Sequence, residues 1–257
     1  MKNFILLLTL SMFLIHCQST QENKITEDSS SEKGEASQLL LGAWESSFQT
    51  DSGTVVKLVA TITEGFLSET RYIENPPYFI RTRGGSWQYK KGMLSLQFEW
   101  DSADSTAVGS TINAGIEVSS DQVTLDNMVW KRIDDGTPGD LVGSWLITGR
   151  RRNGELRRST PGTRKTMKIL SGTRFQWIAY DTGNGGFYGT GGGTYTTIEG
   201  KYVENIEFFS RDNSRAGATL DFDYKLENNE WYHSGLSSKG EPLMEIWTPR
   251  HMVDSIQ

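Results

Sequence analysis

The sequence predicts an all-β protein built from two tandem antiparallel up-and-down barrels, and three observations support this fold class. A Gly-x-Trp motif occurs twice, in Leu41-Gly42-Ala43-Trp44 and in Leu141-Val142-Gly143-Ser144-Trp145. Each motif opens a long run of strand-like segments, and each run closes on a Trp that is followed shortly by an Arg. Neither run contains the apolar spacing of a long amphipathic helix. The chain therefore uses one folding unit twice.

The first unit is expected over residues 39–133. Residues 55–62 are rich in β-branched side chains, which favours a strand. Residues 134–140 contain Asp, Gly and Pro and are predicted to link the two units. The strand predicted at residues 93–100 alternates and would place four large apolar side chains on one face: Leu94, Leu96, Phe98 and Trp100.

The second unit is expected over residues 141–250, with a short tail at residues 251–257. Asn153-Gly154 is the strongest short signal for a tight hairpin. Residues 218–227 alternate strictly between apolar and polar side chains, so one face of this strand would pack in the core and the other would face water. Eight consecutive antiparallel strands close naturally into a barrel. Besides the strand at Gly143, the predicted strands are 164–170, 174–181, 192–198, 201–210, 218–227, 230–237 and 242–248.

The two units can be aligned on internal anchors. Gly84-Gly85-Ser86-Trp87 matches Gly192-Gly193-Thr194-Tyr195, and Phe98-Glu99-Trp100 matches Ile206-Glu207-Phe208. The Gly-rich segment at residues 183–193 lacks the Lys-Ser/Thr and the helix that follow a phosphate-binding loop. We therefore expect this segment to form a mobile hairpin at the mouth of the second barrel.

Residues 1–17 are predicted to be a lipoprotein signal peptide. Lys2 precedes an apolar stretch at residues 4–15, which is shorter than the ~20 residues that span a bilayer. Leu14-Ile15-His16-Cys17 resembles a bacterial lipobox, in which the Cys is lipidated, although the pattern has a small residue where His16 stands. The alternative is an ordinary signal peptide with an incidental Cys.

Lipidation of Cys17 would anchor the protein in the cell envelope. Gln18 follows the Cys where Asp would mark inner-membrane retention, so we expect the outer membrane. The side of the membrane, periplasm or cell surface, stays open. Residues 18–38 are rich in Ser, Glu and Lys, and we expect a disordered tether that holds the folded part off the lipid.

Composition excludes several classes of function. The net charge of −6 argues against nucleic-acid binding, which needs a basic surface. One Cys excludes a disulfide framework and a Cys-based metal site. His16, His233 and His251 are the three histidines, and they show no metal-ligand spacing. We expect no metal and no cofactor. Haem bound by a lone His is a weaker alternative to an ordinary hydrogen-bonded His.

Gly-x-Trp on the first strand with an Arg after the last strand resembles the lipocalin pattern. The second unit is also similar to the lipocalin-like domains of secreted proteins and lipoproteins of Bacteroidetes-type bacteria. The resemblance implies a Trp that plugs the base of each barrel and an Arg that lies over its indole. It implies a fold and not a reaction. The matching residues are Gly42, Trp44 and Arg132 in the first unit and Gly143, Trp145, Trp247 and Arg250 in the second.

The interior of the second barrel is the candidate ligand site, because such a barrel is either filled or holds one small ligand. Alternation points Glu204, His233 and Glu245 inward, where a carboxylate is costly unless it is paired. It also points Phe208 inward. The alternatives are a strand phase that is wrong by one residue, or a structural hydrogen-bond cluster in a filled barrel. The predicted ligand-binding residues are Phe175, Trp177, Tyr195, Tyr202, Glu204, Phe222, Tyr224, Trp231, His233 and Glu245.

We therefore expect an envelope lipoprotein that binds a small apolar or amphiphilic ligand in its second barrel, with a more filled first barrel. One alternative is an enzyme that uses Glu204, His233 and Glu245 as acid/base groups, although no catalytic motif is present. Another is a structural or partner-binding protein with filled barrels. Its partner surface would be the basic hairpin around Arg150–Arg158, which suits an anionic surface. The same basic stretch extends to Arg164, Lys165 and Lys168, and the alternative is that it is simply solvated.

Overall fold

The computed structural model confirms the all-β class and shows two closed eight-stranded antiparallel barrels in tandem. The predicted signal peptide, Cys17 and the tether as far as residue 36 lie outside the described residues. None of the helices within the described residues is long and apolar enough to cross a membrane. The structure describes residues 37–125, 127–137, 139–152, 154–237 and 240–255.

In the first barrel each strand pairs with its neighbours in sequence, and the last strand closes on the first. The turn between the fourth and fifth strands has positive φ at both Lys91 and Gly92, the geometry that matches the twist of a two-residue hairpin. A short 3-10 turn lies at Ser105–Ala107. The strands are β1 (Gly42–Gln49), β2 (Val55–Thr63), β3 (Phe66–Ile73), β4 (Tyr78–Lys90), β5 (Met93–Asp101), β6 (Thr111–Val118), β7 (Gln122–Leu125) and β8 (Met128–Asp134).

The second barrel repeats this order and adds one strand, which pairs with the end of β9 as the predicted hairpin. A 3-10 turn at Asn213–Arg215 matches that of the first barrel, and a helix at Arg250–Asp254 follows the last strand. The strands are β9 (Gly143–Arg152), β10 (Glu155–Arg158), β11 (Arg164–Leu170), β12 (Arg174–Asp181), β13 (Gly186–Ile198), β14 (Lys201–Phe209), β15 (Thr219–Glu227), β16 (Glu230–Leu236) and β17 (Pro242–Pro249).

A β-bulge stands at the same place in both barrels. Gly192 pairs with Phe208 while Gly193 pairs with Ile206, so Glu207 is an extra residue in β14. A Cβ on Gly193 would lie 1.9 Å from the carbonyl oxygen of Asn205, so the bulge has no room for a side chain there. An extra residue shifts the alternation of the strand by one position.

Because of the bulges, two side chains point in directions that differ from those expected from the alternation of the sequence. Phe208 leaves the interior of its barrel and packs 5.1 Å from the ring of Tyr72 in the first barrel. Trp100, which follows the equivalent bulge in β5, leaves the face that it was expected to share with Phe98 and packs 5.1 Å from Tyr180. Both rings therefore contribute to the contact between the barrels.

The Gly-rich segment forms the hairpin of strands β12 and β13, and most of it belongs to β13. Strand β13 begins at Gly186, so only residues 182–185 form the turn. A Cβ on Gly191 would lie 2.8 Å from Nε1 of Trp177, and a Cβ on Gly192 would lie 2.6 Å from the ring of Phe208. The glycines in the strand therefore leave space for neighbouring aromatic rings.

The two barrels pack through equivalent faces with approximate two-fold symmetry. Tyr72 of the first barrel donates a hydrogen bond of 2.5 Å to Glu207 of the second. Tyr180 of the second barrel donates one of 2.6 Å to Glu99 of the first. The two tyrosines, and likewise the two glutamates, are separated by the same number of residues in the chain. The interface therefore uses the repeated unit in a reciprocal way.

Gln176 occupies the centre of this interface and is 3% exposed. Its Oε1 accepts hydrogen bonds from Ser68 and Thr70, at 2.6 Å and 3.0 Å. Its Nε2 donates to the hydroxyls of Thr82 and Thr190, both at 2.9 Å. Because every hydrogen-bonding position of the amide is used, its burial is compensated.

Asp134 provides a second connection and corrects the predicted linker. It is the last residue of β8 and is 9% exposed, whereas it was expected to begin a solvated linker. Its carboxylate accepts hydrogen bonds from the Ser171 hydroxyl and from the backbone nitrogens of Gly172 and Thr173. The end of the first barrel is thereby tied to the β11–β12 turn of the second.

The Gly-x-Trp residues lie at the base of each barrel. The indole nitrogens of Trp44 and Trp145 donate to the backbone oxygens of Leu40 and Leu141, each at 2.9 Å. Gly42 and Gly143 have φ of 113° and 135°, a backbone conformation that favours glycine. Arg132 stands opposite Trp44 in the ladder and lies 4.0 Å from its ring, as the resemblance implies.

Arg250 departs from that expectation. Pro249, not Arg250, occupies the position opposite Trp145. Arg250 instead begins the helix that follows β17, and it lies 4.4 Å from the ring of Phe66 in the first barrel. Its guanidinium also forms an ion pair of 2.9 Å with Glu99. Arg250 thus stabilises the contact between the barrels and does not cover the tryptophan.

Candidate functional site

The second barrel encloses a cavity of about 430 Å³, whereas the cavity of the first barrel measures about 80 Å³. Small-molecule sites in proteins span roughly 300–1,000 Å³. The cavity opens at the end that lies away from Trp145, where strand β11 begins and strand β14 ends. We call this opening the rim. Only the second barrel therefore has the capacity for a ligand of ordinary size.

Five of the predicted ligand-binding residues line this cavity, and five do not. Phe175, Tyr195, Tyr202 and Trp231 pack in the core below the cavity. Tyr224 is partly buried against the same core, and its hydroxyl donates to Asp140. The five that line the cavity are Trp177, Glu204, Phe222, His233 and Glu245. Further apolar lining, outside the predicted ligand-binding residues, comes from Ala179, Tyr188, Ile206, Phe209, Leu220, Leu243 and Trp247.

Lys168 pairs with Glu204 inside the barrel at 2.9 Å, and each side chain is 5% exposed. The Lys168 ammonium also lies 4.7 Å from the ring centroids of both Tyr202 and Trp231. A buried carboxylate needs such a partner. The sequence grouped Lys168 with a solvated basic stretch, yet Arg164, Thr166 and Lys168 alternate along β11 and all face inward.

His233, Glu245 and Arg150 form a second polar cluster in the cavity wall. His233 Nδ1 lies 3.5 Å from a Glu245 oxygen, and Arg150 Nε lies 3.3 Å from the other oxygen. The first distance is too long for an ordinary hydrogen bond, so we regard it as an electrostatic contact. Neither His233 nitrogen has a hydrogen-bond partner among the described residues, and neither does Nε1 of Trp247.

Burial and charge set the ionisation of this cluster. Burial, reinforced by the nearby Lys168 ammonium, lowers the pKa of His233 below its ordinary value of 6.5. Burial alone would raise the pKa of Glu245, but His233 and Arg150 hold it below its ordinary value. At neutral pH the cavity therefore presents a neutral imidazole, which offers one donor and one acceptor, beside a carboxylate.

The rim of the cavity is basic. The Arg164 guanidinium lies 4.2 Å from the ring of Tyr188, and Arg211 Nε donates to the Tyr188 backbone oxygen at 2.6 Å. The lining as a whole contains four cations and two carboxylates, a surplus of two positive charges. The cations are Arg150, Arg164, Lys168 and Arg211, and the carboxylates are Glu204 and Glu245.

A basic groove of about 360 Å³ adjoins this rim. Strand β9 pairs with β11 only at its first residues, from Gly143 to Leu146, and then diverges to pair with β10. The groove lies in the gap that results. Three of its cations are paired with glutamates: Arg150 with Glu245, Arg157 with Glu155 and Arg158 with Glu230. The other two are Arg164 and Lys165.

A further concave region, about 850 Å³, is a cleft between the two barrels. It is bordered by both Gly-x-Trp motifs and by the helix at Arg250–Asp254. Its principal cation, Arg250, is already bound to Glu99 and Asp254. In the described parts of the chain no group of three or more His, Cys, Asp or Glu is arranged to hold a metal ion.

Comparisons with known proteins do not assign the chain to a family. No protein-family model matches it, and no curated protein matches it either. The function must therefore be inferred from the cavity itself.

Proposed function

We propose that the second barrel binds a small amphiphilic molecule in the cavity around His233. The observation that carries this proposal is a set of unpartnered polar atoms, on His233 and Trp247, in a wall that combines aromatic and aliphatic side chains with charged ones. Buried polar groups are normally hydrogen-bonded, and convergent ones in an apolar pocket are typical of a ligand site. A ligand with an apolar body and one hydrogen-bonding group would match the apolar side chains and the unpartnered polar atoms of this wall.

Binding explains the cavity better than the two alternatives. Glu204 is neutralised by Lys168 and Glu245 contacts Arg150, so both carboxylates have structural partners that an acid/base role would have to disturb. The alternative of a structural protein with filled barrels fits the first unit, whose cavity is small. It does not fit the second unit, whose cavity is of ligand size. The lipocalin resemblance remains an expectation that is compatible with this function.

A neutral fluorescent probe tests the proposal. Phenyl naphthylamine brightens in apolar sites, and we expect saturable binding to the full chain at one site. Leu220→Trp should block this binding, because Leu220 lines the cavity. Ile112→Trp, at the equivalent first-barrel position and 41% exposed, is the matched control and should bind normally. Binding that survives Leu220→Trp, or no binding to the wild type, would refute the proposal.

We also propose that the barrels are anchored in the cell envelope, at the outer membrane, through a lipidated Cys17. The lipobox-like segment that ends at Cys17 and the tether-like composition after it support this localisation. Labelling of cells with a radioactive fatty acid should mark the wild-type protein and not Cys17→Ser. Equal labelling of both, or release of the wild type as a soluble protein, would exclude the anchor.

A further inference from the structure

The arginines at the rim have no role in the binding of an apolar body. Arg164 and Arg211 line the mouth of the cavity, and both side chains are exposed. Among the described residues no carboxylate lies within ion-pair distance of either guanidinium, although the protein as a whole carries a net charge of −6. The opening of the cavity therefore carries two cations that have no acidic partner, in a protein whose net charge is negative.

Tyr188 holds both arginines in place. Its ring lies under the Arg164 guanidinium at 4.2 Å, and its backbone oxygen accepts from Arg211 Nε. These contacts fix the orientation of two long side chains before a ligand arrives, which lowers the entropy cost of binding. A guanidinium presents a planar fork of donors that suits a carboxylate or a phosphate.

We propose that the ligand is an anionic amphiphile whose acidic group binds between Arg164 and Arg211 at the rim. This inference rests on the binding function proposed above and names the class of ligand. The deeper cation cannot serve the same purpose, because Lys168 is already paired with Glu204 and surrounded by aromatic rings. The acidic group therefore binds at the rim, and the apolar body extends inward so that the hydrogen-bonding group of the ligand lies near Trp247 and His233.

The strand geometry sets the length of such a ligand. Arg164 and Lys168 are four residues apart on β11, which corresponds to about 13 Å along an extended strand. The apolar lining from Tyr188, Phe209 and Phe222 covers the region between them. A single acyl chain or a fused aromatic system of about that length would extend from the arginines to the polar floor.

Two probes that differ by one acidic group provide the test. Anilinonaphthalene sulfonate is the sulfonated analogue of phenyl naphthylamine, and we expect it to bind the full chain about tenfold more tightly, as one charge-assisted contact would give. In the double variant Arg164→Gln/Arg211→Gln the two probes should bind with equal affinity, and the ratio of their affinities corrects for any effect of the substitutions on the cavity itself. Lys131→Gln/Arg151→Gln removes the same charge at exposed positions outside the cavity and should preserve the advantage.

The outcomes separate the two proposals. Equal affinity of both probes for the wild type, or an advantage that survives Arg164→Gln/Arg211→Gln, would overturn the anionic class and leave the binding function intact. No binding of either probe would overturn the binding function. Competition by dodecanoate or by dodecyl phosphate, but not by dodecylamine, would support the proposal and distinguish a carboxylate from a phosphate. Equally effective competition by dodecylamine would contradict it.

Discussion

Lys168 and Glu204 form a buried ion pair in the second barrel at the positions that Ala60 and Leu96 occupy in the first. Lys168 stands opposite Trp145 in the ladder, as Ala60 stands opposite Trp44. The ammonium and carboxylate are 2.9 Å apart. One barrel therefore has an apolar pair and a small cavity, and the other has an ion pair beside a cavity of ligand size.

This pair predicts a strongly non-additive response to substitution. Lys168→Met leaves Glu204 buried without a partner and should lower the free energy of unfolding by about 3–5 kcal/mol. Glu204→Leu should have a comparable cost. The double variant restores an apolar pair and should be close to the wild type in stability. Urea denaturation followed by circular dichroism measures all four proteins. A double variant as unstable as the single variants would show that the pair is not an isolated unit.

The ionisation of His233 predicts a loss of stability in mild acid. The unfolded chain protonates this side chain near pH 6.5, whereas the folded protein, in which its pKa is lowered, resists protonation. Acidification below pH 6.5 therefore favours the unfolded chain, by up to about 1.4 kcal/mol for each pH unit. The lowered pKa of Glu245 adds a loss only below its ordinary value of 4.5.

Urea denaturation at a series of pH values between 7 and 5 isolates the effect of the histidine. His233→Gln keeps a polar side chain without this titration, so the slope of stability against pH should flatten in this window. A slope that is identical in the two proteins would assign the acid sensitivity to other groups.

The reciprocal tyrosines predict matched effects in the two halves of the interface. Tyr72→Phe and Tyr180→Phe each remove a hydrogen bond donated to a glutamate and one accepted from an arginine, and each should cost about 1.5–3 kcal/mol or more. Tyr78→Phe is the control, because Tyr78 is 55% exposed and should tolerate the change. Thermal unfolding provides the comparison. A large cost for only one of the two buried tyrosines would argue against the functional equivalence of the two contacts.

Substitution of a glycine at the bulge should destabilise the protein through a steric clash alone, without a change in polarity. Gly193→Ala would place a Cβ 1.9 Å from the Asn205 oxygen, so β13 and β14 must separate, at a cost of about 1–3 kcal/mol or more. Gly162→Ala meets no atom within 4 Å and should be nearly neutral. Chemical denaturation of both variants checks the difference, and equal stabilities would mean that the ladder adapts more easily than the packing suggests.

The sequence predicted the architecture well, for identifiable reasons. The repeated Gly-x-Trp motif and the strict alternation at residues 218–227 reflect local requirements of a barrel base and of a half-buried strand. The inward direction of Glu204, His233 and Glu245 was also correct, since no bulge lies between these residues and the turns that set their register.

The errors arose where one extra residue shifts the alternation of a strand, or where the partner of a side chain is distant in the sequence. A single extra residue, Glu207, redirected Phe208 outward and brought Phe209 into the cavity. Lys168 was assigned to a solvated stretch because its partner Glu204 is on another strand and no local pattern reveals the pair. The expectation for Arg250 failed for a similar reason, since Pro249 takes the position opposite the tryptophan.

The approximate two-fold axis through the Tyr72–Glu207 and Tyr180–Glu99 contacts has an evolutionary consequence. A reciprocal contact of this kind is what two copies of one barrel form when they dimerise. Duplication and fusion of one barrel would produce a chain with this arrangement. In a fused chain the shared contact can be kept in both halves while the two interiors change separately. The interiors of the two barrels do differ, since one cavity measures about 80 Å³ and the other about 430 Å³.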